Sequence, residues 1–152
     1  MEYYKLSDAC ILNRFPELDA STLANLNRFK GNVKLLPSSK DYDWFSDEET
    51  CRGFICEGKV ITLGRARYAN IKQWEGKFVA ANNVVIESSN ENIINFNYLY
   101  FFLLHNVKNF YVEGTTYPKF DSKIFKQTLI PICDIDEQIK IVNILKNIQV
   151  LI

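Results

Sequence analysis

The chain has 152 residues, 47% of them hydrophobic and 14% aromatic, which is ample for one domain around a single core. Its 18 basic and 18 acidic side chains cancel, so bulk charge calls for neither nucleic acid nor a membrane surface, and either partner must be met by a local patch. The four cysteines, Cys10, Cys51, Cys56 and Cys133, form no C-x-x-C pair and Met1 is followed by polar Glu2, which together predict reduced thiols in a cytoplasmic protein. The longest apolar run, Tyr98 to Leu104, falls well short of the roughly 20 residues that span a membrane.

In chain order, "MEYYKLSDACIL" alternates aromatic and polar residues and then offers Ser7 or Asp8 as a cap before Ala9, Ile11 and Leu12. It predicts a short strand and one helical turn. From Ser21 to Lys40 the clear pattern is "NVKLL", a strand between Gly31 and Pro37. "DYDWFSDEET" carries Asp41, Asp43, Asp47, Glu48 and Glu49 with no base, and reads as an acidic loop with a Trp-Phe pair. Glycines at 53, 58, 64 and 76 then separate "FICE", "KVITL" and "KFVAANNVVIE", a β-rich middle. Within it Asn82 and Asn83 mark a bulge, a turn or a base contact.

"NFNYLYFFLLHNV" sets Phe96, Leu99, Tyr100, Leu103, Leu104 and Val107 at helical spacing, with Asn95 or Asn97 as cap, and predicts a buried helix. "YPKFDSKIFKQ" reads as a turn and a short helical piece. "TLIPI" reads as a last strand, placed at an edge because Pro131 has no N–H for a ladder. In the final segment, Asp134 at N-cap and Glu137 three residues on form a capping-box arrangement. One apolar row runs Ile135, Ile139, Val142, Leu145, Ile148, Ile152, and a second Ile141, Ile144, Ile148, Leu151. Two rows exceed what one packing face needs, so this helix is expected to lie between its own domain and something else. No Gly or Pro stops it over the about 27 Å it would span, and it is expected to continue past Ile152.

No reaction centre stands out. His105 is the single histidine, in an apolar helix, and lacks a Ser-His-Asp or Cys-His setting. The cysteines have no zinc-site spacing and read as small buried hydrophobes. There is no phosphate loop and no dinucleotide fingerprint. Local charge is more informative. Residues 59–80 hold Lys59, Arg65, Arg67, Lys72 and Lys77 against Glu75 alone. Arg65, Arg67, Asn70, Gln73 and Trp74 are expected in a loop between two strands, where Gly64 lets the chain turn. Arg suits guanine and Asn or Gln suits adenine in a major groove, while lysines position phosphates. The plain alternative is a solvated hairpin whose bases balance the acidic loop. A second basic group, Lys119, Lys123 and Lys126 around Asp121, offers phosphate contact or simple exposure.

The order of these pieces resembles the target-recognition half of a type I restriction-modification specificity subunit. The resemblance is carried by "YYKLSDACI", "GRARYANI" with "GKFVAANNVVIE", "NYLYFFLL", "GTTYPKF" and above all "IPICDIDEQIKIVNIL", which is similar to that family's strand-proline-"EQxxIxxxL" entry to a spacer helix. Residues 13–58 contribute little to it. The resemblance implies an α+β fold of mixed type, with a β-rich recognition domain over 1–133 and the start of a spacer and dimerisation helix over 134–152. It also implies a non-catalytic chain that reads double-stranded DNA for a methyltransferase subunit, which carries S-adenosylmethionine and methylates a flipped adenine at N6. A restriction subunit would bring ATP and Mg, and no cofactor is expected in this chain.

On that reading Arg65, Arg67, Asn70, Gln73, Asn82 and Asn83 contact bases, Lys72, Lys77 and Lys119 contact phosphates, and Trp74 or Tyr117 packs against the backbone. "GTTYPKF" becomes the bend returning the chain to the final helix, and Ile135, Ile139, Ile141, Val142, Ile144, Leu145 and Ile148 form the helix interface. Two copies pairing there could rebuild a symmetric subunit that reads a bipartite palindrome. The rival readings are the recognition domain of a single-chain restriction-methylation enzyme, a protein-interaction module acting through the helix, and a small enzyme around Cys51, Cys56 and His105.

Overall fold

A computed structural model of the chain describes residues 2–66, 70–114 and 116–151, leaving aside the side chains of Val150 and Leu151. The expected opening strand and turn are β1 (Glu2–Lys5) and α1 (Leu6–Ala9), followed by β2 (Cys10–Leu12). Ser7 and Asp8 do not cap α1. The N-cap position falls on Lys5, whose side chain makes no capping hydrogen bond. A helix that the apolar pattern does not announce, α2 (Ala20–Leu26), forms over residues 20–26, because Asp19 accepts from the backbone N–H of Thr22 and Leu23 is sealed in the core.

The β-rich middle is a sheet with strand order β2-β7-β5-β6-β3-β4. Its other members are β3 (Val33–Leu36), β4 (Phe45–Ser46), β5 (Cys56–Gly64), β6 (Lys72–Ala80) and β7 (Asn83–Ser88). Gly58 and Gly76 lie inside strands rather than between them, while Gly64 ends one, so "FICE" and "KVITL" contribute to one long strand. The "NNV" interruption is a tight turn: Asn82 adopts φ +40°, a left-handed conformation that asparagine tolerates better than most residues. Strand alternation divides the core. Leu36, Val60, Phe78, Ala80 and Val85 form one cluster. On the other side of the same strands, Ile61, Leu63, Val84 and Ile86 pack with the helices, while Val33, Leu35 and Val79 pack with Leu23 of α2.

Strand β6 is strongly curved. Eight extended steps would separate Lys72 from Ala80 by about 26 Å, yet Ala80 is in register with Leu36 and the Lys72 ammonium reaches Pro37 and Ser39. Gly76, midway along the strand at φ +132°, supplies a conformation that a side chain would resist. The curvature brings the loops after β3, before β6 and before β7 to one place.

The helical part begins with α3 (Phe96–Asn106), where Asn95 rather than Asn97 is the cap, accepting from the N–H groups of Asn97 and Tyr98. Phe96, Leu99 and Leu103 are its buried face. A short 3-10 turn leads to a small hairpin, β8 (Tyr111–Val112) and β9 (Lys119–Phe120), then α4 (Ser122–Gln127), β10 (Leu129–Ile132) and α5 (Ile135–Leu151). As its proline predicts, β10 sits in a two-stranded sheet with β1, opposing Pro131 to Tyr3. Thus "GTTYPKF" is not itself the bend into the last helix: it closes the β8–β9 hairpin, and two further elements intervene before α5. Among the described residues no helix is long and apolar enough to cross a membrane.

Candidate nucleic-acid interface

Four loops meet at the curved end of the sheet. Residues following β3, the β5–β6 loop, the β6–β7 turn and the β8–β9 turn together line a cavity of about 410 Å³ through Ser38, Ser39, Arg65, Ala66, Asn70, Asn82 and Tyr117. Arg65, Ala66 and Tyr117 also border a neighbouring depression of about 370 Å³, completed by Gly114, Thr116, Pro118 and Lys119. The hairpin is fastened to this rim. Phe120 N–H donates to the Arg65 carbonyl (2.8 Å) and the Tyr111 hydroxyl to that of Gly64 (2.5 Å). Gly114 is required inside the turn, since a Cβ there would lie 2.4 Å from the Tyr117 carbonyl oxygen.

Arg65, Asn82, Tyr117 and Lys119 are exposed on this surface. The Arg65 guanidinium donates to Glu17 (2.9 Å) and to the Asn83 carbonyl (3.1 Å). With side chains 47% and 30% exposed, the Arg65–Glu17 pair is a solvated one, and such pairs contribute about 0–1 kcal/mol. An incoming anion can therefore displace Glu17 at small cost. Arg67 lies outside the described residues.

Several expected contact residues are occupied elsewhere. Lys72 is buried, its ammonium donating to the carbonyls of Pro37 and Ser39, so it does not face phosphate. Burial, with repulsion from Lys34, lowers its pKa to about 8. Asn70 borders the cavity but is itself buried, donating to the Ser38 carbonyl (2.6 Å). Asn83 is fully buried and donates to Leu36 and Ala81. Gln73 and Trp74 belong to β6, not to the loop. The Trp74 ring packs edge-on to Phe45 and its indole N–H donates to the Lys77 carbonyl, while Lys77 pairs with Glu48.

The acidic loop thus partly answers basic β6, as the plain alternative has it. Of its Trp-Phe pair, Phe45 joins Tyr42 in lying under fully buried Lys34 (4.3 and 3.9 Å), while Trp44 packs against the cluster around Leu23. Ser38, Ser39 and Glu17 are the site residues sequence reasoning missed. The Pro-Ser-Ser run signals a turn but not where that turn arrives.

In α5, Val142 is buried, Ile135, Ile141 and Leu145 are half-buried, and Ile139, Ile144 and Ile148 are 41%, 59% and 47% exposed. One face therefore meets the domain and another faces outward. A groove of about 180 Å³ between α3 and α5 is lined by Phe101, Phe102, His105, Ile141 and Leu145, among others. The start of α5 is locked by Gln138, which is fully buried. Its amide donates to the carbonyls of Ile93 (2.7 Å) and Cys133 (2.9 Å), and its oxygen accepts from Asn95 N–H (2.8 Å). The Gln of the "EQ" pair thus couples α5 to the cap of α3.

The cysteines are free, and burial pushes the Cys10 thiol up to about 12. Among the described residues no three His, Cys, Asp or Glu side chains gather as a metal site would need.

Residues 1–151 match the family model described as "Type I restriction modification DNA specificity domain". No curated protein sequence matches the chain. Among solved structures, the S subunit of a type I restriction-modification system from M. genitalium is similar at TM-score 0.69 and 12% identity, over 95% of this chain and 38% of that one. The HsdS subunit from Thermoanaerobacter tengcongensis is similar at TM-score 0.60 and 15% identity, over 97% of this chain and 37% of that one. A structure described as showing complex assembly and conformational transition of the type I R-M system gives TM-score 0.63 and 12% identity, over 97% and 38%. The chain thus spans under two-fifths of the length of these structures, and at such identities the likeness is one of fold.

Proposed function

We propose, from the premise that the chain belongs to the type I restriction modification DNA specificity domain family, that it is the target-recognition half of a specificity subunit and reads one part of a split double-stranded DNA target. The observation that carries this reading is the convergence of four loops on one concave surface bearing Arg65, Asn82, Tyr117 and Lys119. Lys119 would meet phosphate, Arg65 would exchange Glu17 for guanine or phosphate, and Asn82, at the tip of its turn, would meet a base edge. Tyr117, 52% exposed, would pack against the sugar-phosphate backbone, and Asn70 would reach DNA only through the loop it holds.

On this reading residues 1–133 form the recognition domain and 134–152 begin the spacer helix. Its outward Ile139, Ile144 and Ile148 would dock a methyltransferase subunit, a second copy of the chain, or both in turn. Chemistry belongs to the partners: S-adenosylmethionine on the methyltransferase subunit, ATP and Mg on a restriction subunit. The chain itself supplies no catalytic group. Co-purification with the methyltransferase subunit, followed by mapping of N6-methyladenine in DNA exposed to the complex, tests the proposal. A bipartite motif methylated only when this chain is present is expected. Failure to bind any such subunit while α5 remains folded would favour an interaction module instead.

A further inference from the structure

Four consecutive carbonyls at the end of β3 and just after it are taken up by side chains from the starts of β6 and β7 and from the β5–β6 loop. Asn83 donates to Leu36 (2.8 Å), Lys72 to Pro37 (2.7 Å) and Ser39 (2.5 Å), and Asn70 to Ser38 (2.6 Å). All three donors are at most 5% exposed. Burying an ammonium is costly unless its donors are used, and Lys72 faces one repelling charge, Lys34, and one attracting charge, Asp41. An apolar side chain could fill the space without that cost, but it could not take the Pro37 and Ser39 carbonyls inward. What Lys72 supplies is direction: it sets the shape of the loop that places Ser38 and Ser39 on the wall of the cavity shared with Arg65 and Asn82.

We propose that residues 37–41 form a base-reading edge of the interface, with Ser38 and Ser39 among the specificity-determining residues and Lys72 as the positioning residue that sets them. The proposal rests on the DNA-reading function above. The Ser39 hydroxyl donates to Asp41 (2.8 Å) and accepts weakly from Asp41 N–H (3.4 Å). A lone pair remains to accept from an exocyclic amino group, such as adenine N6 or cytosine N4 in the major groove. The Ser38 hydroxyl can donate or accept.

The test is selection from a pool of random duplexes by the complex with its methyltransferase subunit, sequencing what binds. Wild type is compared with Arg65→Ala, Lys72→Met and the double variant Ser38→Ala with Ser39→Ala, each checked for a cooperative unfolding transition. The serine variant should lose preference at one or two base positions by about fivefold, the value of one hydrogen bond, while other positions persist. Lys72→Met should relax the same positions, which a uniform loss of affinity from a merely structural role would not do. If wild type and Arg65→Ala differ but the serine variant keeps the full motif, the proposal is wrong and the DNA-reading function stands. If wild type selects no motif, both fall. Should Lys72→Met fail to fold, the serine variant alone decides whether the 37–41 edge reads bases.

Discussion

Arg65 and Lys72 belong to the same basic stretch and invite the same reading, yet the fold gives them opposite tasks. Arg65 ends half-exposed on a rim, held by a solvated carboxylate that it can release. Lys72 ends sealed beneath a loop, holding carbonyls that it cannot release without exposing unpaired groups. The difference teaches that one run of cations can contain both the contact surface and the fasteners that shape it. A fastener should cost stability when removed, a contact should cost affinity, and the two losses should be separable by experiment.

The largest stability loss is expected from a fastener with no charge at all. Gln138→Ala would strand the Asn95 N–H and the Ile93 and Cys133 carbonyls in a buried site, and should destabilise the fold by about 3 kcal/mol, read by urea denaturation. A change below 1 kcal/mol would show that water replaces the amide there. Next comes the contact residue. Arg65→Ala should weaken DNA binding by about 1–3 kcal/mol and shallow its salt dependence, with the unfolding midpoint almost unmoved because the Glu17 pair is exposed. A large stability loss without an affinity loss would reverse the assignment of roles.

A pH-dependent effect is expected from titrating Lys72. Its pKa in the folded chain is about 8 against a usual 10.5. Between those values the unfolded chain still binds a proton that the folded chain has released, so stability rises with pH across the window. Below pH 8 the cost of burying the charge is fully present. Wild type should therefore gain stability relative to Lys72→Met from pH 8 upward, measured as the difference between their urea midpoints; a flat difference would mean that the ammonium is solvated after all. The smallest effect belongs to Lys77→Gln, which removes only a surface pair with Glu48 and should change stability by under about 0.5 kcal/mol and leave DNA affinity intact.

Much of the fold was legible in the residues. The strand in "NVKLL", the buried helix over Phe96–Asn106, the edge strand marked by Pro131 and the final helix follow from period, cap and the chemistry of proline, all of them local. What escaped was decided at longer range. Helix α2 depends on a single cap and one core leucine rather than on an amphipathic stripe. The glycines at 58 and 76 look like breaks, yet they fall inside strands, and Gly76 sits midway in a strand that must curve.

Among the residues picked for DNA contact, Arg65, Asn82, Tyr117 and Lys119 meet on one surface. Lys72 and Asn83 are buried, Trp74 and Lys77 are engaged with their own chain, and Ser38 and Ser39 arrive from a segment with no signal beyond a turn. By itself, the sequence determined most of the element types, the basic segment and a final helix with more apolar surface than one face requires, because these depend on neighbours a few residues away. Only the tertiary structure decided which cations face outward and which loops share a surface. That choice rests on the curvature of β6 and on hydrogen bonds that join residues more than thirty positions apart, such as Lys72 to Pro37.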